Sequence, residues 1–247
     1  NKNLNLINKI IGRSYDNKIY KTSKILINND SIINIIGIYD KFRNTRIINQ
    51  FESTGLFFST TDSNSSNIVS SFINLYDIKS AYHILEKNDS IKILKKKQKL
   101  QEKGKEIDVR TQFILNNIIQ EKDNYKIILE EFYPEYHTVN YITYDYYGRP
   151  VNSSYNVFDG YRYINAMLIQ ISKNGDLLWD CNLEMGEILT YNLFKQIEYI
   201  KDNNINILAY YANGNIISKF MEDDKILKPK NYTKIVSSNE LNKIQYE

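Results

Sequence analysis

Cysteine, glycine and long apolar runs are scarce in this chain, and each scarcity excludes a class of protein or site. The single cysteine, Cys181, excludes an internal disulfide and a cysteine-rich zinc site. None of the nine glycines is separated from another by one residue, so there is no Gly-x-Gly phosphate-binding loop. No apolar run approaches the roughly 18 residues that span a bilayer, so we expect no transmembrane segment.

Residues for metal binding and nucleophilic catalysis are also few. The two histidines, His83 and His137, lie far apart and neither has a partner at metal-ligand spacing. The acidic neighbours of Cys181, Asp180 and Glu184, would raise the pKa of a thiol rather than lower it. We therefore interpret Cys181 as a structural residue, and we expect no metal ion and no cofactor.

The formal net charge is only +3, and acidic and basic residues are interspersed. A nucleic-acid-binding domain concentrates basic residues on one face, so we expect no nucleic-acid partner. Six lysines do cluster between residues 95 and 105, but no aromatic residue lies among them to stack on bases. We interpret this cluster as the solvated face of a helix or loop.

The abundant residues favour β-strands, because β-branched and aromatic side chains pack well on a pleated surface. The chain has 21 tyrosines and 10 phenylalanines. A polar turn followed by an apolar run that ends in tyrosine occurs three times, at Ser31–Tyr39, Tyr125–Tyr133 and Asn203–Tyr211. Return strands are expected at Gly55–Asp62 and Asn165–Ser172. The sequence therefore predicts an all-β, mainly antiparallel fold.

Two Asn-Gly pairs are the strongest local signals. Asn174-Gly175 lies just before Leu177–Trp179, and Asn213-Gly214 separates Ile207–Tyr211 from Ile216–Phe220. Both residues of such a pair tolerate the positive φ angles of a type I′ turn. We predict a tight β-hairpin at each pair.

The chain divides into four regions of one expected domain. Residues 1–77 form a first β repeat region, and residues 78–107 form a helical, lysine-rich insertion. Residues 108–227 hold the second and third repeat regions, and residues 228–247 form a polar tail. The repeat spacing exceeds the roughly 40–50 residues of a propeller blade, which leaves blades with insertions and separate sheet units both open. A short helix and a strand are both open for Leu189–Ile200.

Glu130 and Glu131 end a predicted strand and are the candidates for a catalytic acid. Adjacent strand residues point to opposite faces, so the two cannot form one glycosidase pair. Either could act only with a distant acid such as Asp145 or Asp159. The alternative is that Glu131 faces solvent while Glu130 pairs locally.

The segment Phe132–Tyr163 gathers tyrosines into one long connection, with turn residues at Gly148-Arg149-Pro150 and Asp159-Gly160. Tyrosine offers a flat apolar face and a polar tip, which suits stacking on sugars or on a protein partner. The alternative is an extended hairpin whose tyrosines pack on each other. The candidate binding residues are Tyr133, Tyr136, Tyr144, Tyr146, Tyr147, Arg149, Tyr155 and Tyr161.

The stretch Asp145–Tyr163, continued by Asn165-Ala-Met and by Lys173-Asn-Gly-Asp-Leu-Leu-Trp-Asp180, resembles uncharacterised exported β-propeller-like proteins of Bacteroidetes. Gly37-Ile-Tyr39 together with Gly55–Phe58 looks like a second blade of that kind. The resemblance is strongest over residues 125–180 and does not extend to the lysine-rich insertion. It implies a propeller-like array of sheets and an extracytoplasmic location, in the periplasm, in the outer membrane or secreted. It supplies no catalytic residues.

Taken together, these features predict a non-enzymatic binding or scaffold module outside the cytoplasm that uses the tyrosine-rich segment. Its partner would be a protein or a glycan. One alternative is a carbohydrate-active enzyme on a propeller-like sheet, using Glu130 or Glu131 with a remote acid. Another is a structural subunit of a cell-envelope complex. The oligomeric state is left open.

Overall fold

The computed structural model describes residues 18–28, 32–42, 49–62, 68–84 and 111–235. These residues form antiparallel strands with two short 3-10 turns, at Leu75–Asp77 and Lys79–Ile84, which confirms the all-β prediction. The strands are β1 (Lys18–Asn28), β2 (Ile32–Lys41), β3 (Glu52–Ser53), β4 (Gly55–Asp62), β5 (Ile68–Asn74), β6 (Thr111–Gln120), β7 (Asn124–Tyr144), β8 (Pro150–Ser172), β9 (Leu177–Glu184), β10 (Leu189–Thr190), β11 (Glu198–Asp202), β12 (Ile205–Ala212), β13 (Asn215–Glu222) and β14 (Lys225–Lys234).

The strands build three sheets. The first has the order β1-β2-β4-β5, and the third is a meander in the order β11-β12-β13-β14. The central sheet has the order β10-β8-β7-β6-β3, and β9 also pairs with β8 further along that strand. Over the described ranges the strand orders close into neither a barrel nor a propeller.

A separate apolar core lies against each face of the central sheet. One core joins residues such as Leu129 and Met167 to Ile36 and Phe58 of the first sheet. The other joins residues of the opposite face to the third sheet, with Leu168 packed in the same cluster as Leu208, Ile217 and Met221. The central sheet is therefore buried on both faces over the length that the outer sheets cover.

This burial explains the long apolar run at the start of β7. Every residue from Tyr125 to Phe132 is buried, so both faces of the strand need apolar side chains instead of an alternating pattern. Polar residues within this run bond to the flanking layers. The hydroxyl of Tyr125 accepts from Asn34 Nδ2 of the first sheet at 2.7 Å, and Lys126 Nζ donates to Asn206 Oδ1 of the third at 2.8 Å.

Both predicted Asn-Gly hairpins are present, but only one has the expected turn. Asn213 and Gly214 have φ angles of 51° and 79°, as the type I′ turn requires. At the β8–β9 hairpin, Gly175 has a φ of 85° and Asn174 has no positive φ. The amide of Gly175 donates to Ser172 O at 3.0 Å, which is the bond of a type I turn followed by a left-handed glycine. The type I′ prediction was therefore wrong at this position.

Other predicted segments have mixed outcomes. Of the predicted helical insertion, Lys79–Ile84 forms a 3-10 turn, and residues 85–107 lie outside the described residues, so the helix is not shown. Residues 189–200 contain β10, an irregular segment at 191–197 that begins with a bend, and the start of β11, without a helix. Strand β14 of the third sheet ends at Lys234 and therefore includes the first residues of the predicted polar tail, residues 228–247.

Candidate functional site: a tyrosine-bearing arm

The ends of β7 and β8 extend past the three sheets as a two-stranded arm, residues 134–160. Among the described residues, pairing between β6 and β7 reaches as far as Gln112 and Phe132, and β10 pairs with Tyr161 and Arg162 of β8. Within the described part of the chain, the arm strands pair with each other and with no third strand. At roughly 3.4 Å per residue, the strand from Pro134 to Tyr144 is about 35 Å long.

Aromatic packing and one ion pair hold the base of the arm. The ring of Phe158 lies 5.0 Å from that of Tyr161 and 5.4 Å from that of Tyr136, centroid to centroid. Arg162 Nε lies 2.6 Å from Glu135 Oε2 across the strands. The register shifts by one residue between Glu135 and Tyr136, so the predicted turn at Asp159-Gly160 is a β-bulge inside β8.

A tight turn closes the tip of the arm. The amide of Gly148 donates to Asp145 O at 2.9 Å, and Gly148 has a φ of 74°. The carboxylate of Asp145 accepts from the amides of Tyr147 and Arg149 and from Arg149 Nε, each at 2.9 Å. This network orients the turn so that Tyr146 and Tyr147 are 96% and 78% exposed.

The two faces of the arm carry different side chains, and both are open to solvent. One face has Tyr136, Thr138, Asn140, Ile142 and Tyr144 from β7, and Pro150, Asn152, Ser154, Asn156 and Phe158 from β8. The opposite face has His137, Val139, Tyr141 and Thr143, and Val151, Ser153, Tyr155 and Val157. Tyr141 and Tyr155 pack edge to face there, with ring centroids 5.6 Å apart. The tyrosines thus contact each other, as the hairpin alternative expected, and still leave large exposed areas.

The eight predicted binding residues all lie on this arm or at its base, but they do not form one site. Tyr133, Tyr136 and Tyr161 are at the base and Tyr155 is on the middle of one face. The other four, Tyr144, Tyr146, Tyr147 and Arg149, are at the tip. Tyr141 and Ile142 are also exposed and were not among the predicted residues.

Glu130 is buried at the contact between the central sheet and the irregular segment at 191–197. Its carboxylate accepts from the amides of Gln196 at 2.9 Å and Ile197 at 3.2 Å, and from Asn116 Nδ2. Asn116 Nδ2 also donates to Ile197 O at 2.9 Å. Burial raises the pKa of Glu130, while these bonds act in the opposite direction. Glu130 therefore fastens the segment that leads into the third sheet.

Glu131 lies on the opposite face of β7 and is only 3% exposed, so the expectation that it faces solvent was wrong. Thr111 Oγ1 donates to Oε1, whereas Oε2 has no hydrogen-bond partner among the described residues. The side chain of Asn165, its cross-strand neighbour, also has none within that part of the chain. Burial raises the pKa of Glu131 to about 7.

The remote acids suggested for a glycosidase are not brought near these two residues. Asp145 is at the tip of the arm, about 50 Å along β7 from Glu130 at roughly 3.4 Å per residue. Asp159 is at the base of the arm, where its Oδ1 lies 2.5 Å from His137 Nδ1. Glycosidase carboxyl groups lie roughly 5–9.5 Å apart, so none of these acids forms such a pair with Glu130.

A cleft of about 350 Å³ lies between β9, the 3-10 turn at Lys79–Ile84 and the third sheet. Its lining includes Ser80, Cys181 and Lys219. Burial raises the pKa of Cys181, which fits a structural thiol rather than a nucleophile. Lys219 Nζ donates to Asn182 O at 2.7 Å, so this cation is already bonded.

In the described ranges, no group of three histidine, cysteine, aspartate or glutamate residues could hold a metal ion. None of the described helices has the length and apolar character needed to cross a membrane. In comparisons with known proteins, no family model, no curated protein and no solved structure matches this chain. The arm is therefore the candidate site on its geometry alone.

Proposed function

We propose that this protein is a non-enzymatic binding or scaffold module and that the arm is its binding element. The observation that carries the proposal is a ribbon about 35 Å long with two uncovered faces. An isolated two-stranded ribbon is marginally stable in water, and contiguous exposed apolar surface is typical of interaction sites. A partner that covers the arm would support the isolated ribbon and would bury its exposed apolar surface.

The side-chain chemistry of the arm supports binding by contact rather than by charge. Neither Tyr136–Tyr144 nor Val151–Phe158 contains an aspartate, glutamate, lysine or arginine. The arm's tip carries one bonded ion pair, Asp145 with Arg149. Solvent-exposed sheet edges are ordinarily protected by charged residues, and this ribbon has none of these four residue types from Tyr136 to Tyr144 or from Val151 to Phe158.

Location outside the cytoplasm is part of the proposal and rests on the resemblance of Asp145–Asp180 to exported propeller-like proteins. In that setting, a rigid three-sheet body would present the arm to a protein or a glycan at the cell envelope. The buried polar contacts of Tyr125, Lys126 and Glu130 between the sheets favour such a rigid body.

The test compares the wild-type protein with an armless variant, in which Asn-Gly replaces residues 138–156, on a glycan array and a displayed peptide library. Tyr146→Ala with Tyr147→Ala is the milder variant. Tyr211→Ala with Tyr232→Ala is the matched control, because these exposed tyrosines lie on the third sheet. We expect binding to be lost in the armless variant, reduced at least tenfold in the tip variant and retained in the control. Full retention of wild-type binding by a folded armless variant would refute the proposal.

A further inference from the structure

The hydrogen-bond pattern of the arm determines which backbone groups point away from it. At the tip, the amide of Asp145 donates to Arg149 O at 3.0 Å, which makes these two residues a hydrogen-bonded pair. Bonded and non-bonded pairs alternate along an antiparallel ladder. The register is regular from Tyr144–Pro150 down to Tyr136–Phe158, so these end pairs and every second pair between them are non-bonded.

Each non-bonded position directs its N–H and C=O groups outward, toward the edge of its own strand that has no partner among the described strands. On β7 these positions are Tyr136, Thr138, Asn140, Ile142 and Tyr144, and all five have an N–H group. On β8 the outward positions include Pro150, which has no N–H to donate. The β7 edge is therefore the more complete template for another strand.

The segment Tyr136–Tyr144 along this edge contains no aspartate, glutamate, lysine or arginine, so it can face a copy of itself without repulsion. Read from its centre at Asn140, the segment Tyr136–Tyr144 places Val139 against Tyr141 and Thr138 against Ile142. His137 then faces Thr143, and Tyr136 faces Tyr144. In this antiparallel register Asn140 would meet itself at the axis and tyrosine would meet tyrosine at both ends of the segment.

We propose that the partner of this edge is a second copy of this chain. The two segments Tyr136–Tyr144 pair antiparallel about a twofold axis at Asn140, giving a four-stranded sheet in the order β8-β7-β7-β8. The inference rests on the proposed function, because it takes the arm as the binding element, and it adds a second copy as the partner of the β7 edge. It assigns self-association to this edge and leaves the tip tyrosines to the protein or glycan partner.

Charge and hydrogen-bond number both favour this occupant. No like charges meet across the axis, because the segment has no aspartate, glutamate, lysine or arginine. The five outward residues of each copy give five bonded pairs and about ten backbone hydrogen bonds, the number found in a typical stable interface. Val139 beside Tyr141 is a β-branched–aromatic pair, which stabilises cross-strand contacts.

Disulfide trapping tests the register directly in the full chain with Cys181→Ser. Under mild oxidation we expect Asn140→Cys to form a covalent dimer, since opposed residues lie about 5.5 Å apart. A mixture of Val139→Cys and Tyr141→Cys proteins should cross-link, whereas Val139→Cys alone should not, because its two copies would be offset by two residues. Ser154→Cys, on the β8 edge, should remain monomeric on the denaturing gel. Equal cross-linking of Ser154→Cys and Asn140→Cys would overturn the proposed edge.

Sedimentation gives the non-covalent test. We expect a dimer for the wild-type protein and at least a tenfold weaker dimer for Asn140→Lys, which opposes two charges at the axis. Ser154→Lys is the matched control, because it lies directly opposite Asn140 on the outer strand and should remain dimeric. A monomeric wild-type protein whose tip variant still loses binding on the arrays would refute the second copy and leave the proposed function standing. A monomeric wild-type protein together with an armless variant that kept all wild-type binding would refute both the second copy and the proposed function.

Discussion

Replacement of Glu131 by glutamine should stabilise the protein at neutral and alkaline pH. Burial raises the pKa of Glu131 from 4.5 to about 7, so the folded state binds a proton more tightly than the unfolded chain does. Stability from this group is complete below pH 4.5 and is lost as the pH rises through 7. At about 1.4 kcal/mol per pKa unit, the loss amounts to about 3 kcal/mol above pH 7. Burial also raises the pKa of Glu130.

A glutamine has the same shape, carries no charge and can donate to Asn165, whose side chain has no hydrogen-bond partner in the described ranges. The assay is urea unfolding of wild type, Glu131→Gln and the exposed control Glu198→Gln at pH values from 4.5 to 8.5. We expect Glu131→Gln to gain about 3 kcal/mol over wild type at pH 8.5, with the gain falling steeply toward pH 4.5. The control should follow wild type. A Glu131→Gln profile parallel to that of wild type across the whole range would refute the reasoning.

Two further substitutions test local features of the fold by thermal unfolding. Gly160→Ala should destabilise the protein more than Gly148→Ala, because a Cβ at Gly160 would lie 2.8 Å from Thr190 O, whereas at Gly148 only the φ of 74° is unfavourable. We expect Gly148→Ala to lower the free energy of unfolding by about 1 kcal/mol and Gly160→Ala to lower it by clearly more. Equal losses would contradict the close approach of β10 to Gly160. Asn116→Ala should cost about 2–3 kcal/mol, because Glu130 loses a buried donor and Ile197 O loses its partner. A loss below 0.5 kcal/mol would show that this contact does not fasten the segment.

Strand positions and tight turns could be predicted from the sequence because their signals are local. The Asn-Gly pairs at 174–175 and 213–214 mark hairpins in any context, although the type of the first turn depends on a bond from Gly175 to Ser172. Burial of a sheet on both faces is a tertiary property. Lys126, Glu130 and Glu131 interrupt the apolar run of β7, and only the packed layers show which groups bond to them.

The candidate site, the arm, likewise depends on tertiary structure that local sequence signals do not show. The richness of Phe132–Tyr163 in tyrosine was evident from the sequence, and so was its interpretation as a hairpin or a binding segment. Composition could not reveal that β7 beyond Phe132 has no partner on this edge among the described strands. The bulge at Asp159 also had no distinct signal, because Asp-Gly is equally typical of a turn.

Amide hydrogen exchange, resolved by residue along β7, tests most directly whether the arm pairs with a second copy of this chain through its β7 edge. In dilute protein, the outward amides of Thr138, Asn140 and Ile142 should exchange rapidly, whereas those of Val139 and Tyr141 are bonded to β8 and should be protected. At high protein concentration the account predicts that the three outward amides become protected as well. Rapid exchange of Asn140 at every concentration, with no change along the β7 edge, would contradict it.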